Sequence, residues 1–165
     1  MINRVITHRH LGLILTPTLD WSQQINEVCL KANRKLAVLK SVKLLARQTL
    51  DQLYKITVRS VIDYGLPVYF HTLKQSDITR LEKLQYNAAK IVAGALPYSS
   101  KEKLNHELGW ETLQTRAEFL ELTLYHKIHL HETRSLINTF MYAKIFLRSN
   151  GGYARYPNYR VEFHN

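Results

Sequence analysis

Three groups of side chains have types and spacings suited to chemistry: the triplet His8-Arg9-His10, the basic set Lys31, Arg34, Lys35 and Lys43, and the histidines His126, His129 and His131. Arginine and lysine hold phosphates through charge and hydrogen bonds, so the first two groups are candidates for nucleic-acid contact. Their bland reading is an exposed strand end and an ordinary solvated helix face. The His-x-x-His-x-His pattern places two imidazoles on one helix face, but a zinc centre needs more oriented ligands, and polar helix surface is the simpler expectation. Carboxylates that could converge on metal ions are missing from the pattern, because Asp20, Asp51, Asp63 and Asp77 are scattered singly. Trp21 and Trp110 follow helix-boundary residues and read as packing anchors rather than base-stacking platforms.

Charge favours the same kind of partner. Twenty-three Lys and Arg against 13 Asp and Glu give a formal net charge of +10, and the first 50 residues alone hold eight basic and two acidic side chains. A polyanion is the expected partner, with nucleic acid ahead of an acidic membrane surface. One cysteine, Cys29, rules out an internal disulfide and a cysteine-built zinc site. The absence of a long apolar run or a signal-like start leads to the expectation of an intracellular protein with no membrane partner.

The elements that must position these groups follow from apolar periodicity. Leu11 to Leu15, closed by Thr16-Pro17-Thr18, reads as a buried strand, and nothing later reads as its partner. A lone strand would leave backbone groups unpaired at about 1–3 kcal/mol each, so the expectation is a sheet completed by missing strands. From Leu19 the pattern turns helical. Asp20 with Gln23 reads as a capping box for a helix whose stripe is Ile25, Val28, Cys29, Ala32, Leu36 and Leu39. A second helix spans about Leu50 to Tyr64 with Leu50, Leu53, Tyr54, Thr57, Val61 and Tyr64 inward, stopped by Gly65 and Pro67. A third starts near Ser76 and buries Ile78, Leu81, Leu84, Ala88 and Ile91 until Gly94. Ser99 with Glu102 announces a fourth ending at Gly109, and Thr112 or Thr115 begins a fifth carrying Leu113, Ala117, Leu120, Leu124 and Ile128. The fold class expected is mainly α, a compact bundle of about five helices preceded by one β-strand or hairpin remnant, divided as 1–19, 20–148 and a loosely ordered tail at 149–165. The tail interleaves Arg155 and Arg160 with Tyr153, Tyr156 and Tyr159.

Several pieces, in order, resemble one family. His10-Leu11-Gly12-Leu13-Ile14-Leu15, Leu19-Asp20-Trp21, Lys31-Ala32-Asn33-Arg34-Lys35-Leu36, Arg59-Ser60-Val61-Ile62-Asp63-Tyr64-Gly65, Leu81-Glu82-Lys83-Leu84-Gln85 and Glu107-Leu108-Gly109-Trp110-Glu111-Thr112-Leu113 look like the end of the palm, the thumb and the connector of reverse transcriptases from non-LTR retrotransposons of the LINE type, jockey-like lineages among them. The resemblance covers roughly Arg4 to His129. It implies a nucleic-acid-gripping piece of an RNA-directed DNA polymerase. His8, Arg9 and His10 would then lie in a primer-grip-like segment, and Lys31, Arg34, Lys35 and Lys43 on a thumb face against RNA template and DNA primer. Fingers and palm would be the missing protein partners, and the parent element would work in nucleus and cytoplasm. The family's catalytic Tyr/Phe-x-Asp-Asp motif is absent, and Leu66-Pro67-Val68-Tyr69-Phe70 stands where a tryptophan is usual after Tyr-Gly. The expectation is therefore no catalysis and no cofactor in this chain alone, with Mg2+ confined to the missing palm. The alternative is an independent small basic helical DNA- or RNA-binding protein derived from a transposon remnant.

Overall fold

The computed structural model describes residues 6–130, with side chains to residue 127. It is mainly α, a helical bundle preceded by an antiparallel hairpin, which is the expected class. The backbone divides into two units, Met1–Leu122 and Thr123–Asn165, and the fold described below is that of the first. No helix among the described residues is long and apolar enough to cross a membrane.

The first correction concerns the lone strand. β1 (His8–His10) pairs antiparallel with β2 (Leu13–Leu15) in the register His8 with Leu15, Arg9 with Ile14 and His10 with Leu13. Leu11 and Gly12 form the two-residue turn with φ of 45° and 81°. Positive φ at both central residues is what a type I′ hairpin needs, because its twist matches that of the strands. The side of β2 away from β1 is met by α1, where the Ile14 N–H donates to Gln24 Oε1 at 3.0 Å. The hydrogen-bond argument for missing strands therefore falls: the partner is the polar triplet just before the strand, and a glutamine covers the central amide of the other edge.

Helix α1 (Ser22–Ser41) buries Ile25, Val28, Cys29, Ala32, Leu36 and Leu39, the whole expected stripe, together with Gln24. Its start differs from expectation. Asp20 Oδ1 accepts from the Ser22 N–H at 2.9 Å, a local turn ahead of the helix, and no capping box with Gln23 forms.

The second expected helix is one continuous run in three parts: α2 (Arg47–Leu53), a π-helical stretch (Tyr54–Arg59) and α3 (Ser60–Asp63). Its buried ridge is Leu50, Tyr54, Val58 and Ile62, continued by Leu66 in the one-turn α4 (Leu66–Tyr69). The expected inward residues Thr57 and Val61 are only half-buried, and Tyr64 is exposed. A four-residue step overshoots one turn by about 40° in an α-helix and falls short in the wider i→i+5 coil. Alternating the two keeps every fourth residue facing the core, which a uniform α-period cannot do.

After a 3-10 turn (Phe70–Thr72), α5 (Gln75–Ala93) packs along α1 and buries Leu81, Leu84, Ala88, Ala89 and Val92, with Ile78 and Ile91 at the core edge. Gly94 ends it as expected, the Ala95 N–H donating back to the Lys90 carbonyl at 3.0 Å. Helix α6 (Lys101–Leu108) is capped by Ser100, whose Oγ accepts from the Lys103 N–H, one residue later than the Ser99 expected. In α7 (Leu113–Leu130) the cap is Thr112, accepting from the Thr115 N–H at 3.2 Å. Leu113 and Ala117 are buried and Leu120 sits at the core edge. Leu124 lies in the second unit, and the side chain of Ile128 lies outside the described residues, as does the segment 131–165 with its Arg/Tyr tail. Both tryptophans are buried. Trp21 packs on Tyr69 with centroids 5.4 Å apart, and Trp110 stacks on Tyr54 at 4.0 Å while its indole N–H donates to Asp51 Oδ1 at 2.8 Å.

Candidate nucleic-acid interface

The hairpin's pleat sorts the triplet. His8 and His10 share a face with their partners Leu15 and Leu13, and Arg9 shares the opposite face with Ile14. Leu13 and Leu15 pack on the core edge, while β1 is the outer strand and all three of its side chains stay exposed. The two imidazoles lie nearly parallel, centroids 6.3 Å apart and planes at 27°.

Two residues far along the chain fix the hairpin. The Tyr64 hydroxyl donates to the Leu11 carbonyl in the turn, and its ring covers Gly12, where a Cβ would come within 3.3 Å of it. Gly65, at φ 75°, lies under Leu13: a Cβ there would meet the Leu13 Cδ2 at 2.6 Å. The Tyr64-Gly65 pair thus couples the end of α3 to the hairpin. The sequence offers no hint of this coupling beyond the glycine itself.

Arg9 reaches across to α1. Its Nη2 lies 2.5 Å from Glu27 Oε1, and Lys31 Nζ lies 3.4 Å from Glu27 Oε2. The Arg9 hydrogen bond is the main reason the Glu27 carboxyl is held below its usual range, with Lys31 adding to it. Lys31, Arg34 and Lys35 follow at i, i+3 and i+4, neighbours on the surface of α1. Arg34 is exposed and Lys35 half-buried, and neither makes an ion pair among the described residues. Lys43 is exposed in the α1–α2 connection. It lies 12 positions beyond Lys31, roughly 18 Å along a helical rise. The structure therefore brings Arg9 and Lys31 together around one carboxylate, sets Arg34 and Lys35 one turn further along α1, leaves His8 and His10 on the opposite face of the hairpin, and sets Lys43 apart. The Glu27–Lys31 half of this arrangement is readable from i,i+4 spacing, whereas Arg9 joins it only through the fold.

Each of the four aspartates lies beside a cation, with Asp20 and Asp77 both bonded to Ser22 and the other two elsewhere. Asp20 pairs with Lys74 at 2.6 Å, Asp51 with Lys55 at 2.7 Å, Asp63 with Arg116 at 2.8 Å and Asp77 with Arg80 at 3.0 Å. The Lys74 hydrogen bond, with those from Ser22, holds the Asp20 carboxyl far below the ordinary range. This donor set does not fit a two-metal centre, which needs carboxylates converging on ions about 3.5–4 Å apart. Among the described residues no three His, Cys, Asp or Glu side chains form a metal-ligating group. His126 is exposed on α7, and the side chains of His129 and His131 lie outside the described residues. What the arrangement around Glu27 offers chemically is electrostatic: an exposed set of cations on a braced surface. No protein-family model matches this chain, and neither the curated proteins nor the solved structures contain a significant match to it.

Proposed function

We propose that this chain is a nucleic-acid-gripping module, and more specifically the end-of-palm, thumb and connector piece of a retrotransposon RNA-directed DNA polymerase. Its partners on this reading are an RNA template and DNA primer, together with the fingers and palm of the parent enzyme. Mg2+ chemistry belongs to that palm. The single observation that carries the gripping role is the placement of Arg9 and Lys31 on the two sides of Glu27. It makes the hairpin and the basic face of α1 one surface, on which Arg34 and Lys35 stand without ion-pair partners among the described residues. Cations left facing solvent on a braced surface attract phosphates and release counterions on contact. The polymerase parentage rests on the resemblance of the motifs from His10 to Leu113.

A second reading is an independent small DNA- or RNA-binding protein. The hairpin favours it, because the strand finds its partners within this chain.

One titration series tests both. Lys31, Arg34, Lys35 and Lys43 are replaced by Gln, and affinity for an RNA–DNA hybrid, single-stranded RNA and duplex DNA is measured across salt concentrations. Gripping predicts a shallower slope of log affinity against log salt, by roughly 0.9 for each duplex phosphate that is no longer neutralised. An unchanged slope removes the phosphate role. A preference of the parent protein for the hybrid supports the polymerase piece, and equal affinity for all three supports the independent binder.

A further inference from the structure

Away from the basic face, the seam between the π-helical stretch and the start of α7 holds two arginines and two carboxylates. Arg116 donates to Asp63 Oδ2 through Nε at 3.1 Å and Nη2 at 2.8 Å, and its Nη1 lies 3.5 Å from Glu111 Oε1. Arg59 lies 3.6 Å from Asp63 Oδ2 and 3.9 Å from Glu111 Oε1. Every Asp63 contact falls on Oδ2, and the buried Oδ1 has no hydrogen-bond partner among the described residues.

Tyr54 shares this condition. It is 1 % exposed, its ring is fixed by stacking on Trp110, and its hydroxyl has no hydrogen-bond partner among the described residues. It lines a cavity of about 10 Å³ together with Arg59, Gln85, Trp110, Glu111 and Arg116. Native proteins rarely leave a buried hydroxyl unbonded, because its lost hydration is not returned. The size of the space selects the ligand: it is about the room a single water needs, and any organic group or polyatomic ion is larger. Charge narrows it further, since the two guanidinium groups in the lining, Arg59 and Arg116, oppose a cation.

We propose that this cavity is a binding site for one water molecule, which accepts a hydrogen bond from the Tyr54 hydroxyl and donates to the Glu111 carboxylate, the one carboxylate in the lining. The site joins the π-helical stretch to the start of α7 through a group neither element supplies. Burial pushes the Tyr54 phenol well up from its ordinary value, so the hydroxyl keeps its proton and remains a donor. The wider coil at Tyr54–Arg59 is part of the site, since it sets Tyr54 and Arg59 on the same side of the helix.

The test uses the full chain and its Tyr54→Phe variant. Water–protein NOE measurements at the Tyr54 and Trp110 rings are expected to reveal a long-lived water in the parent that disappears in the variant. The variant's folded-to-unfolded ratio, read from denaturant titration, is expected to fall about fivefold. Absence of a long-lived water in the parent overturns the proposal. So does a variant as stable as the parent or more so, since deleting an unbonded buried hydroxyl relieves a cost. Should the variant not fold, the parent's NOE measurement decides alone.

Discussion

Tyr64 and Gly65 hold the hairpin by different physics, and substitutions separate them. Tyr64→Phe keeps the ring over Gly12 and removes only the bond to the Leu11 carbonyl. A half-exposed neutral hydrogen bond contributes about 1 kcal/mol, so amide exchange across Leu13–Leu15 should quicken roughly fivefold while global stability barely moves. Gly65→Ala acts on the backbone, at φ 75°, and also forces the Leu13 side chain aside. It should lower stability by about 1–2 kcal/mol, seen as a lower denaturant midpoint with the same slope. Asp20 tests a local electrostatic claim. Its folded pKa is depressed by the Lys74 and Ser22 hydrogen bonds, so the interaction is fully present above the ordinary aspartate value and is lost as pH falls through the folded value. A carboxyl-carbon NMR titration should place Asp20 below the ordinary aspartate range of about 3.9, and Lys74→Ala should move it back up. A normal titration in the parent would remove the pairing.

At the scale of elements, the ridge Leu50–Tyr54–Val58–Ile62 makes a prediction that a regular helix would reverse. Ile62 is fully buried and Val61 half-buried, so Ile62→Ala should cost about 2–5 kcal/mol and Val61→Ala much less. Comparable costs, or a larger one at Val61, would mean the run is α-helical throughout. The same ridge explains what was legible. The stripe of α1 can be read from its sequence because one period governs all 20 residues, whereas the Leu50–Asp63 run changes period midway and no single template fits both halves. The helix ends at Gly94 and Gly109 were legible for a chemical reason, since both adopt positive φ. The hairpin stood only as an alternative to a single strand, and its pairing was not legible. His8-Arg9-His10 has no apolar alternation, and a Leu-Gly turn lacks the asparagine or aspartate signal. Its pairing is instead secured by Gln24 and Tyr64, contributed from other parts of the chain. The basic candidates could be named from the sequence, and Glu27 beside Lys31 follows from their spacing, but Arg9's place there could not, because the Arg9–Glu27 contact spans 18 positions.

For the molecule as a whole, a net charge of +10 says only that polyanions are attracted, and Glu27 decides how much of that charge faces them. Its carboxylate offsets part of Arg9 and Lys31, and also anchors the hairpin against α1. Glu27→Gln separates the two functions. The amide keeps the length of the side chain and an acceptor oxygen for Arg9, so the brace persists, while one negative charge leaves the middle of the basic surface. If that surface meets phosphates, the variant should bind an RNA–DNA hybrid more tightly at low salt, and its salt slope should steepen by roughly 1–2 as Arg9 and Lys31 become available. Adding Lys31→Gln should take back about half of that steepening, since one of the two freed cations is then gone. A slope unchanged by Glu27→Gln would place the nucleic acid elsewhere on the molecule, whatever the total charge, because counterion release counts only the cations that reach the backbone.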